Sequence, residues 1–320
     1  MRLSVIIPVY NGEETIKRSM EAIFNQTIER KVYEVIVIND GSTDGTQVIL
    51  QRLKSSYTFQ LITQANLGAA ISRNQGIKKA SQEIIVLIQD DIIVDPNFLA
   101  EHLRFHQMHD RENTAVVGFT TWDPRMRITP FMRWLEHGGP QFDYDRIKGK
   151  LEVDHLAFYT CNLSVRRSFI NKVGLLNENF SLPGVTAYED TEWGWRLAEN
   201  GLRIWYNLSA IAYHHHPRTL VDVCQRRYRE GKMSHVLYEE HPGLKMVGEN
   251  DSWLHNLTHL KTGFLTDKTR YQLTRLVFNR FTFWPLERLA RFCETRINFP
   301  LLYKIVCGYW YNKGYAHKLK

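Results

Sequence analysis

Short apolar runs alternate with segments of helical spacing along the first 120 residues of the chain. The runs are rich in Val and Ile and have strand length, whereas the segments between them space apolar residues three and four positions apart. The predicted strands are Val5 to Val9, Glu34 to Ile38, Phe59 to Thr63, Ile84 to Ile88 and Ala115 to Phe119. The predicted helices are Glu13 to Phe24, Gly45 to Lys54, Gly68 to Ala80 and Pro96 to Gln107. This alternation predicts an α/β fold whose central sheet is mostly parallel and flanked by helices.

The pattern is less regular after the last of these strands. Residues 120–155 contain several Trp, Pro and Gly residues and predict a long excursion with one short helix. A helix is predicted over Tyr188 to Asn200, with acidic residues in its first turn and Gly201 directly after its end. Ile211 to Tyr213 is predicted to be a strand. Beyond Leu220 the pattern is helical, with many basic and aromatic residues.

Length and charge together suggest two regions. A chain of 320 residues is long enough for one large α/β unit with a helical appendage. Residues 221–320 carry 17 basic and 9 acidic side chains, a net charge of +8, whereas residues 1–220 carry 24 and 25, a net charge of −1. The predicted regions are an α/β domain over residues 1–225, with halves 1–110 and 111–225, and a C-terminal helical extension over residues 226–320.

The basic C-terminal region interleaves Phe, Tyr and Trp with Lys and Arg. Two interpretations of this composition stay open. The region could be a helix pair in peripheral contact with an anionic membrane surface, or a helical subdomain whose aromatic side chains pack internally. Nucleic acid is not an expected partner, because no nucleic-acid-binding motif accompanies the charge.

Membrane spans, targeting segments and disulfides are not expected from the sequence. It contains no uninterrupted run of about 18 apolar residues, and its N-terminus leads directly into the first strand without the features of a signal peptide. The four cysteines lie far apart and form no Cys-x-x-Cys pair. We expect a cytoplasmic protein, with the inner face of the membrane as the site of any membrane contact.

Polar and aromatic side chains follow the first two predicted strands, at the edge where ligands of such sheets bind. These residues are Pro8, Tyr10, Asn11 and Glu13 around the end of the first strand and Asp40 after the second. The ring of Tyr10 offers a stacking face, and the Asp40 carboxylate can accept the ring N–H of uracil or thymine. The alternative is that the Gly-Ser-Thr-Asp-Gly segment after Asp40 only turns the chain and caps the next helix.

Two further segments bring a guanidinium and two carboxylates to the same edge. Asn66 and Arg73 belong to the segment that opens the third helix, from which Arg73 can reach a diphosphate or, alternatively, remain an ordinary surface charge. Asp90 and Asp91 end a buried strand, where adjacent carboxylates are costly unless a cation such as Mg²⁺ or Mn²⁺ neutralises them. The alternative is that one aspartate caps the next helix and the other is solvated.

In this order and spacing, the four segments resemble the family 2 inverting glycosyltransferases of GT-A fold, of the type that builds bacterial cell-surface polysaccharides. The resemblance continues through residues 159–167, 173–180 and 188–197, and covers roughly residues 4–231. It implies a nucleotide-sugar-binding half over residues 1–110 and an acceptor-binding half over residues 111–225. One position departs from the family pattern, because Gln89 stands where the first acidic residue of the metal motif is expected.

The resemblance also implies a role for each candidate residue. The nucleotide-sugar-binding residues are Pro8, Tyr10, Asn11, Glu13, Asp40, Asn66, Arg73 and Asp90. The residues on the sugar and acceptor side are Asn162, Glu189 and Trp193. Asp190 is the catalytic base, although Asp190 and Glu189 could instead only stabilise a helix N-terminus. Asp91 and His214 are the ligands of a divalent cation, Mg²⁺ or Mn²⁺.

Three consecutive histidines, His214, His215 and His216, follow the predicted strand that ends at Tyr213. The alternation of a strand aims His214 and His216 at the same face. We predict that His214 is the metal ligand, with a hydrogen-bonded structural histidine as the alternative. A zinc site made by all three is disfavoured, because three consecutive strand residues cannot converge on one ion.

The implied reaction is inverting transfer of a sugar by single displacement. The donor is a nucleotide-diphosphate sugar, with UDP or dTDP preferred, and the acceptor is a hydroxyl of a glycan or of a lipid-linked molecule. Dehydrogenases and P-loop enzymes are disfavoured, because the sequence has neither a Gly-x-Gly-x-x-Gly loop nor a P-loop motif. The competing hypothesis is a catalytically silent sugar-nucleotide-binding scaffold protein in a glycan assembly complex.

Overall fold

The computed structural model describes residues 1–142, 144–182, 185–244 and 280–317. It divides into two compact units, Met1–Met126 with Tyr144–His216 and Arg127–Asp143 with Pro217–Lys320. The predicted boundary at residue 225 therefore differs from the observed one, because a long helix begins at Leu220 behind a Thr219 capping box and runs through that position. Residues 245–279 of the predicted C-terminal region lie outside the described residues.

The first unit contains a nine-stranded sheet in the order β3-β2-β1-β4-β8-β6-β11-β5, with β7 beside β11. Its strands are β1 Leu3–Val9, β2 Tyr33–Asp40, β3 Gln60–Gln64, β4 Ile84–Ile88, β5 Ile92–Val94, β6 Thr114–Trp122, β7 Glu152–Val153, β8 Asn162–Arg166 and β11 Arg203–His214. The short strands β9 Ser181–Leu182 and β10 Val185–Thr186 form a separate pair. Only β5, β7 and β8 run against the other six strands, so the prediction of a mostly parallel sheet is confirmed.

Helices connect the strands of the first unit. They are α1 Ile16–Phe24, α2 Thr46–Lys54, α3 Ala69–Lys79, α4 Phe98–Met108, α6 Tyr144–Ile147, α7 Arg167–Val173 and α8 Glu189–Glu199. Single 3₁₀ turns cover Arg30–Val32, His155–Ala157 and Glu178–Phe180. The five strands and four helices predicted for the first half of the chain are confirmed, with their ends displaced by up to three residues.

Every residue of β1 and β4 is buried, and burial on both faces explains why almost all of these residues are apolar. The two strands pair in parallel, and β2 pairs in parallel with the other edge of β1. Their carboxyl ends therefore lie side by side. This arrangement brings the loops after Val9, Asp40 and Ile88 to one edge of the sheet.

The second unit is helical and consists of α5 Pro130–Glu136, α9 Leu220–Glu240, α10 Arg280–Cys293 and α11 Pro300–Ala316 among the described residues. Helices α9 and α11 cross with their backbones in contact at Gly231 and Gly314, where a Cβ on either glycine would lie 2.0 Å or less from a carbonyl oxygen of the other helix. Tyr303 is fully buried against Phe131 and Trp134. Within the described residues, no helix is long and apolar enough to cross a membrane.

Candidate active site

The first two loops of the candidate site are tied together by side chains that the sequence assigned to the nucleotide. The Asn11 amide oxygen accepts the backbone N–H of Thr43 at 2.8 Å, and the Glu13 carboxylate accepts that of Gly45 at 2.7 Å. Tyr10 lies beside them with 48% of its surface exposed. Asn11 and Glu13 therefore shape the loops, while the Tyr10 ring remains accessible for stacking. Pro8, by contrast, is buried within β1.

Asp40 ends β2 and is almost fully buried. Its two carboxylate oxygens accept the backbone N–H groups of Leu67 and Gly68, each at 2.9 Å, and Gln64 donates to one of them at 2.7 Å. Asp40 thus holds the loop that opens α3, and it places Asn66 of the same loop at the surface. A carboxylate oxygen has two acceptor sites, so this arrangement leaves acceptor capacity on Asp40.

Arg73 is only 2% exposed, which differs from the surface charge that was the alternative reading of the sequence. Its guanidinium lies 3.3 Å from the carboxylate of Glu189, in the first turn of α8. The Arg73 Nε is buried without a hydrogen-bond partner. Arg73 and Glu189 thus connect α3 to the turn that carries Asp190.

Asp91 lies between two imidazoles. The carboxylate oxygen Oδ2 is 3.0 Å from Nε2 of His214 and 3.0 Å from Nδ1 of His216. The antiparallel pairing of β5 with β11 causes this contact, because it sets His214 opposite Ile92, the neighbour of Asp91. Ligand atoms of all three side chains lie within 4.8 Å of one another. The other oxygen of Asp91, Oδ1, is buried without a hydrogen-bond partner.

The donor set of this cluster fits a divalent cation. A carboxylate and two imidazoles are common ligands of first-row divalent metals. The unpartnered Oδ1 offers a further lone pair in a place where an isolated charge is costly. His216 was not among the ligands assigned from the sequence, although the strand alternation had already aimed it at the face of His214.

The pKa values of the adjacent aspartates shift in opposite directions. Burial raises the pKa of Asp90 well above its usual range, and the negative charge of Asp91 raises it further. Burial also opposes ionisation of Asp91, but the charges and hydrogen bonds of His214 and His216 outweigh it and lower the pKa of Asp91. Gly12 permits this packing, because a Cβ there would lie 2.3 Å from an oxygen of Asp90.

His215 turns away from the cluster, as expected for the middle residue of the three. Its Nδ1 is 2.7 Å from the carboxylate of Asp123, which also pairs with Arg18 and Arg125. Burial opposes ionisation of Asp123, but hydrogen bonds from Arg125 and His215 lower its pKa to about 2. The backbone N–H of His215 donates to the Asp91 carbonyl at 2.8 Å. These contacts hold the segment that carries His214 and His216 in place, and no local pattern of the sequence indicates them.

Asp190 lies in the first turn of α8 and is partly exposed. Its Oδ1 accepts the backbone N–H of Thr191 at 2.8 Å. The charge of Asp190 also acts on the buried thiol of Cys161. Burial raises the pKa of Cys161 to about 12, and the negative charges of Asp190 and Asp91 both act on it in the same direction.

Asn162 and Trp193, two of the residues assigned to the sugar and acceptor side, lie in the interior. The Asn162 amide donates to the carbonyls of Phe119 and Ala210 at 3.1 and 2.9 Å, where β11 bulges away from β6. The Trp193 indole is fully buried and donates to the Gly174 carbonyl at 3.0 Å. Both side chains are committed to interior contacts, so the expectation that they line the sugar side is corrected to a structural role.

Comparisons with known proteins identify the family of the chain. The model of glycosyl transferase family 2 matches residues 4–174. The chain is 27% identical over 249 residues to a poly-beta-1,6-N-acetyl-D-glucosamine synthase of Staphylococcus aureus, which covers 73% of this chain and 54% of that protein. It is 37% identical over 135 residues to an uncharacterized glycosyltransferase of Rickettsia bellii, which covers 42% of this chain and 18% of that protein. The chain thus spans about half the length of the synthase.

Solved structures share the fold. The mannosyltransferase PcManGT from Pyrobaculum calidifontis, in complex with GDP-Man and Mn²⁺, superposes with a TM-score of 0.60 at 17% identity, covering 97% of this chain and 86% of that one. S. aureus TarS 1-349 superposes with a TM-score of 0.54 at 16% identity, covering 99% and 90%. These neighbours share the GT-A fold, as predicted. With more than half of its residues matched by the family model, the chain belongs to glycosyl transferase family 2.

Proposed function

We propose that this protein transfers a sugar from a nucleotide-diphosphate donor to a hydroxyl of a glycan or of a lipid-linked acceptor, with inversion at the anomeric carbon. The observation that carries the proposal is the carboxylate of Asp91 held between the imidazoles of His214 and His216, in a chain that the family 2 model matches. We assign the base to Asp190, in the first turn of α8, and the metal to Asp91, which lies between two imidazoles.

Asp190 is the residue that we assign as the base. Its partly exposed carboxylate would accept the proton of the acceptor hydroxyl while that oxygen attacks the anomeric carbon. Attack from the face opposite the leaving diphosphate inverts the anomeric configuration in one displacement. Glu189 is held on Arg73, and we assign this pair to positioning the first turn of α8 rather than to contact with the diphosphate.

Asp91, His214 and His216 are the residues that would hold the divalent cation. When bound, the cation neutralises negative charge that develops on the departing diphosphate. The two imidazoles favour Mn²⁺ over Mg²⁺, because Mg²⁺ prefers an all-oxygen shell. Gln89, which stands in place of an acidic residue, adds no charge to this set.

For the donor we propose a UDP sugar. Tyr10 and Asp40 provide a stacking face and an acceptor for the base. The synthase relative is named for an N-acetyl-D-glucosamine polymer, and one TarS structure is a complex with UDP-GlcNAc. UDP-N-acetylglucosamine is therefore the first donor to test, with a polysaccharide as the acceptor class.

A calorimetric titration tests the donor assignment. Purified protein is titrated with UDP, dTDP and GDP, each with and without Mn²⁺, and the series is repeated with Asp91→Ala. We expect UDP to bind tightly only with Mn²⁺, and the variant to lose that dependence. Binding of GDP but not of UDP or dTDP would change the proposed donor to a GDP sugar. If no nucleotide binds, the silent-scaffold hypothesis is favoured.

A further inference from the structure

Helix α10 of the second unit has large apolar side chains that are exposed rather than buried in its interior. Trp284 is 58% exposed and Phe292 is 55% exposed, and Leu289 is exposed beside them. The opposite side of the same helix is buried, at Phe283, Ala290 and Cys293. The helix thus has one face that packs within its unit and another, of similar apolar character, that faces outward.

The exposed apolar surface is concentrated in one stretch of the chain. Fourteen large apolar side chains are exposed among the described residues, and six of them lie between residues 284 and 301. The other three of these six, Ile297, Phe299 and Leu301, follow α10 directly. Scattered exposed apolar residues are ordinary on protein surfaces, whereas a concentration of this kind marks an interaction site.

Two arginines lie over the exposed aromatic rings. The guanidinium of Arg288 is 5.2 Å from the centre of the Trp284 ring, and that of Arg296 is 4.4 Å from the centre of the Phe292 ring. Neither arginine pairs with a carboxylate in the described part of the chain, whereas Arg291 pairs with Glu287 at 2.8 Å. Residues 284–304 carry four basic and two acidic side chains, a net charge of +2.

We propose that this aromatic–arginine face, formed by Trp284, Arg288, Leu289, Phe292 and Arg296, binds the surface of a membrane that contains anionic lipids. Aromatic rings settle at the depth of the lipid headgroups, and arginines beside them reach the phosphates. Anionic lipid also complements the unpaired positive charge. A second copy of the chain is a poorer occupant, because a symmetric contact would bring these same arginines together.

The sequence left internal packing and membrane contact open as interpretations of the C-terminal aromatic residues. In our proposal each interpretation describes a different subset of these residues. Tyr303 and Phe283 pack internally, and Phe283 stacks on Tyr309 at 3.6 Å between ring centres. Trp284 and Phe292, by contrast, are free to meet a lipid surface. Membrane binding of this kind is independent of the proposed transfer reaction, since it requires neither donor nor metal.

Vesicle co-sedimentation of the full chain tests the proposal. The vesicles consist of phosphatidylcholine alone or of phosphatidylcholine mixed with phosphatidylglycerol. We expect the wild type to bind the anionic vesicles and not to bind the neutral ones. The double variants Trp284→Ser with Phe292→Ser, and Arg288→Glu with Arg296→Glu, should each weaken anionic binding by about tenfold or more.

Two control variants test whether replacing exposed apolar or basic residues elsewhere has the same effect. Leu151→Ser with Leu208→Ser removes two exposed apolar side chains of the first unit, and Arg111→Glu with Lys148→Glu reverses two exposed charges there. Both controls should bind as the wild type does, and circular dichroism should show every variant folded. The proposal is overturned if the wild type does not bind anionic vesicles, if the face variants bind unchanged, or if the controls lose binding equally. It is also overturned if light scattering finds a wild-type dimer that the face variants abolish.

Discussion

The guanidinium of Arg73 lies 3.3 Å from the carboxylate of Glu189, which ties helix α3 to the residue preceding Asp190. Both side chains are largely withdrawn from solvent, with 2% and 13% of their surfaces exposed. A buried ion pair contributes little by itself, but losing one partner leaves the other charge without compensation. The position of the proposed base therefore depends on this pair.

Removal of one partner of this pair should destabilise the protein more than removal of both. We expect Glu189→Gln to lower the free energy of unfolding by about 3 kcal/mol, because the Arg73 charge stays buried. Arg73→Met combined with Glu189→Gln should recover most of that loss. Urea denaturation of the two single variants and the double variant measures the coupling, and strictly additive effects would show that the pair does not interact.

His216 should contribute to the Mn²⁺ affinity of the proposed metal site as much as His214 does. We expect His216→Ala to weaken Mn²⁺ binding by at least about tenfold, since changes even in residues that only support metal ligands often cost that much. Paramagnetic resonance of Mn²⁺ in the presence of UDP measures the affinity directly. The control is His137→Ala, which removes an exposed histidine of the second unit. Unchanged Mn²⁺ affinity in His216→Ala would restrict the site to Asp91 and His214.

A buried histidine should make the fold sensitive to acid. His102 is fully buried, with its ring nitrogens 2.8 Å from the Ser164 hydroxyl and 3.0 Å from the Asn162 amide oxygen. Burial lowers the pKa of His102 to about 4, whereas the unfolded chain has the ordinary value of about 6.5. Below pH 6.5 the unfolded state therefore binds the extra proton, and stability falls progressively down to pH 4.

This pKa shift of one group corresponds to a loss of about 3 kcal/mol in the free energy of unfolding between pH 7 and pH 4. Urea denaturation at several pH values should show the loss in the wild type. His102→Gln should flatten the profile, although it should also lower stability at pH 7. His137→Ala should leave the slope of the wild type unchanged, and an equally steep profile in His102→Gln would assign the acid sensitivity to other groups, such as the buried His106.

Gly12 should tolerate no side chain. A Cβ at this position would lie 2.3 Å from Oδ2 of Asp90 and 2.7 Å from the Val9 side chain. We expect Gly12→Ala to displace Asp90, to destabilise the fold by about 1–3 kcal/mol and to weaken nucleotide binding. Gly243→Ala is the control, because a Cβ there has no neighbour within 4 Å. Nucleotide affinity of Gly12→Ala equal to that of the wild type would separate Asp90 from the donor site.

The sequence predicted the strands that are buried on both faces, because their apolar runs carry the signal. Ile84–Ile88 was predicted to the residue. Strand β11 was predicted only over its last part, because its bulge near Asn207 and the exposed Leu208 interrupt the alternation. The resemblance supplied Asp91, His214 and Asp190 as a set, and the structure adds His216 beside the first two of them.

Contacts between distant residues explain what the sequence did not predict. Asn162 meets the carbonyl of Ala210, and His215 meets Asp123, across 48 and 92 positions of the chain. Arg73 had the local spacing of a surface residue, and only the packing of α3 against the start of α8 buries it. Trp193 was assigned to the sugar side with its acidic neighbours, but helical geometry turns it inward.

Donor turnover by the wild type and by Asp190→Asn tests whether this protein is a transferase with Asp190 as its base. The assay measures hydrolysis of UDP-N-acetylglucosamine with Mn²⁺, in which water takes the place of the acceptor hydroxyl and UDP is released, and calorimetry confirms that both proteins bind UDP equally. We expect measurable turnover in the wild type and a loss of about 10²-fold or more in the variant, the range that a general base contributes. Turnover that survives in Asp190→Asn would contradict the assignment of the base. Tight UDP binding by a wild type that turns over none of a panel of UDP, dTDP and GDP sugars would contradict the transferase itself.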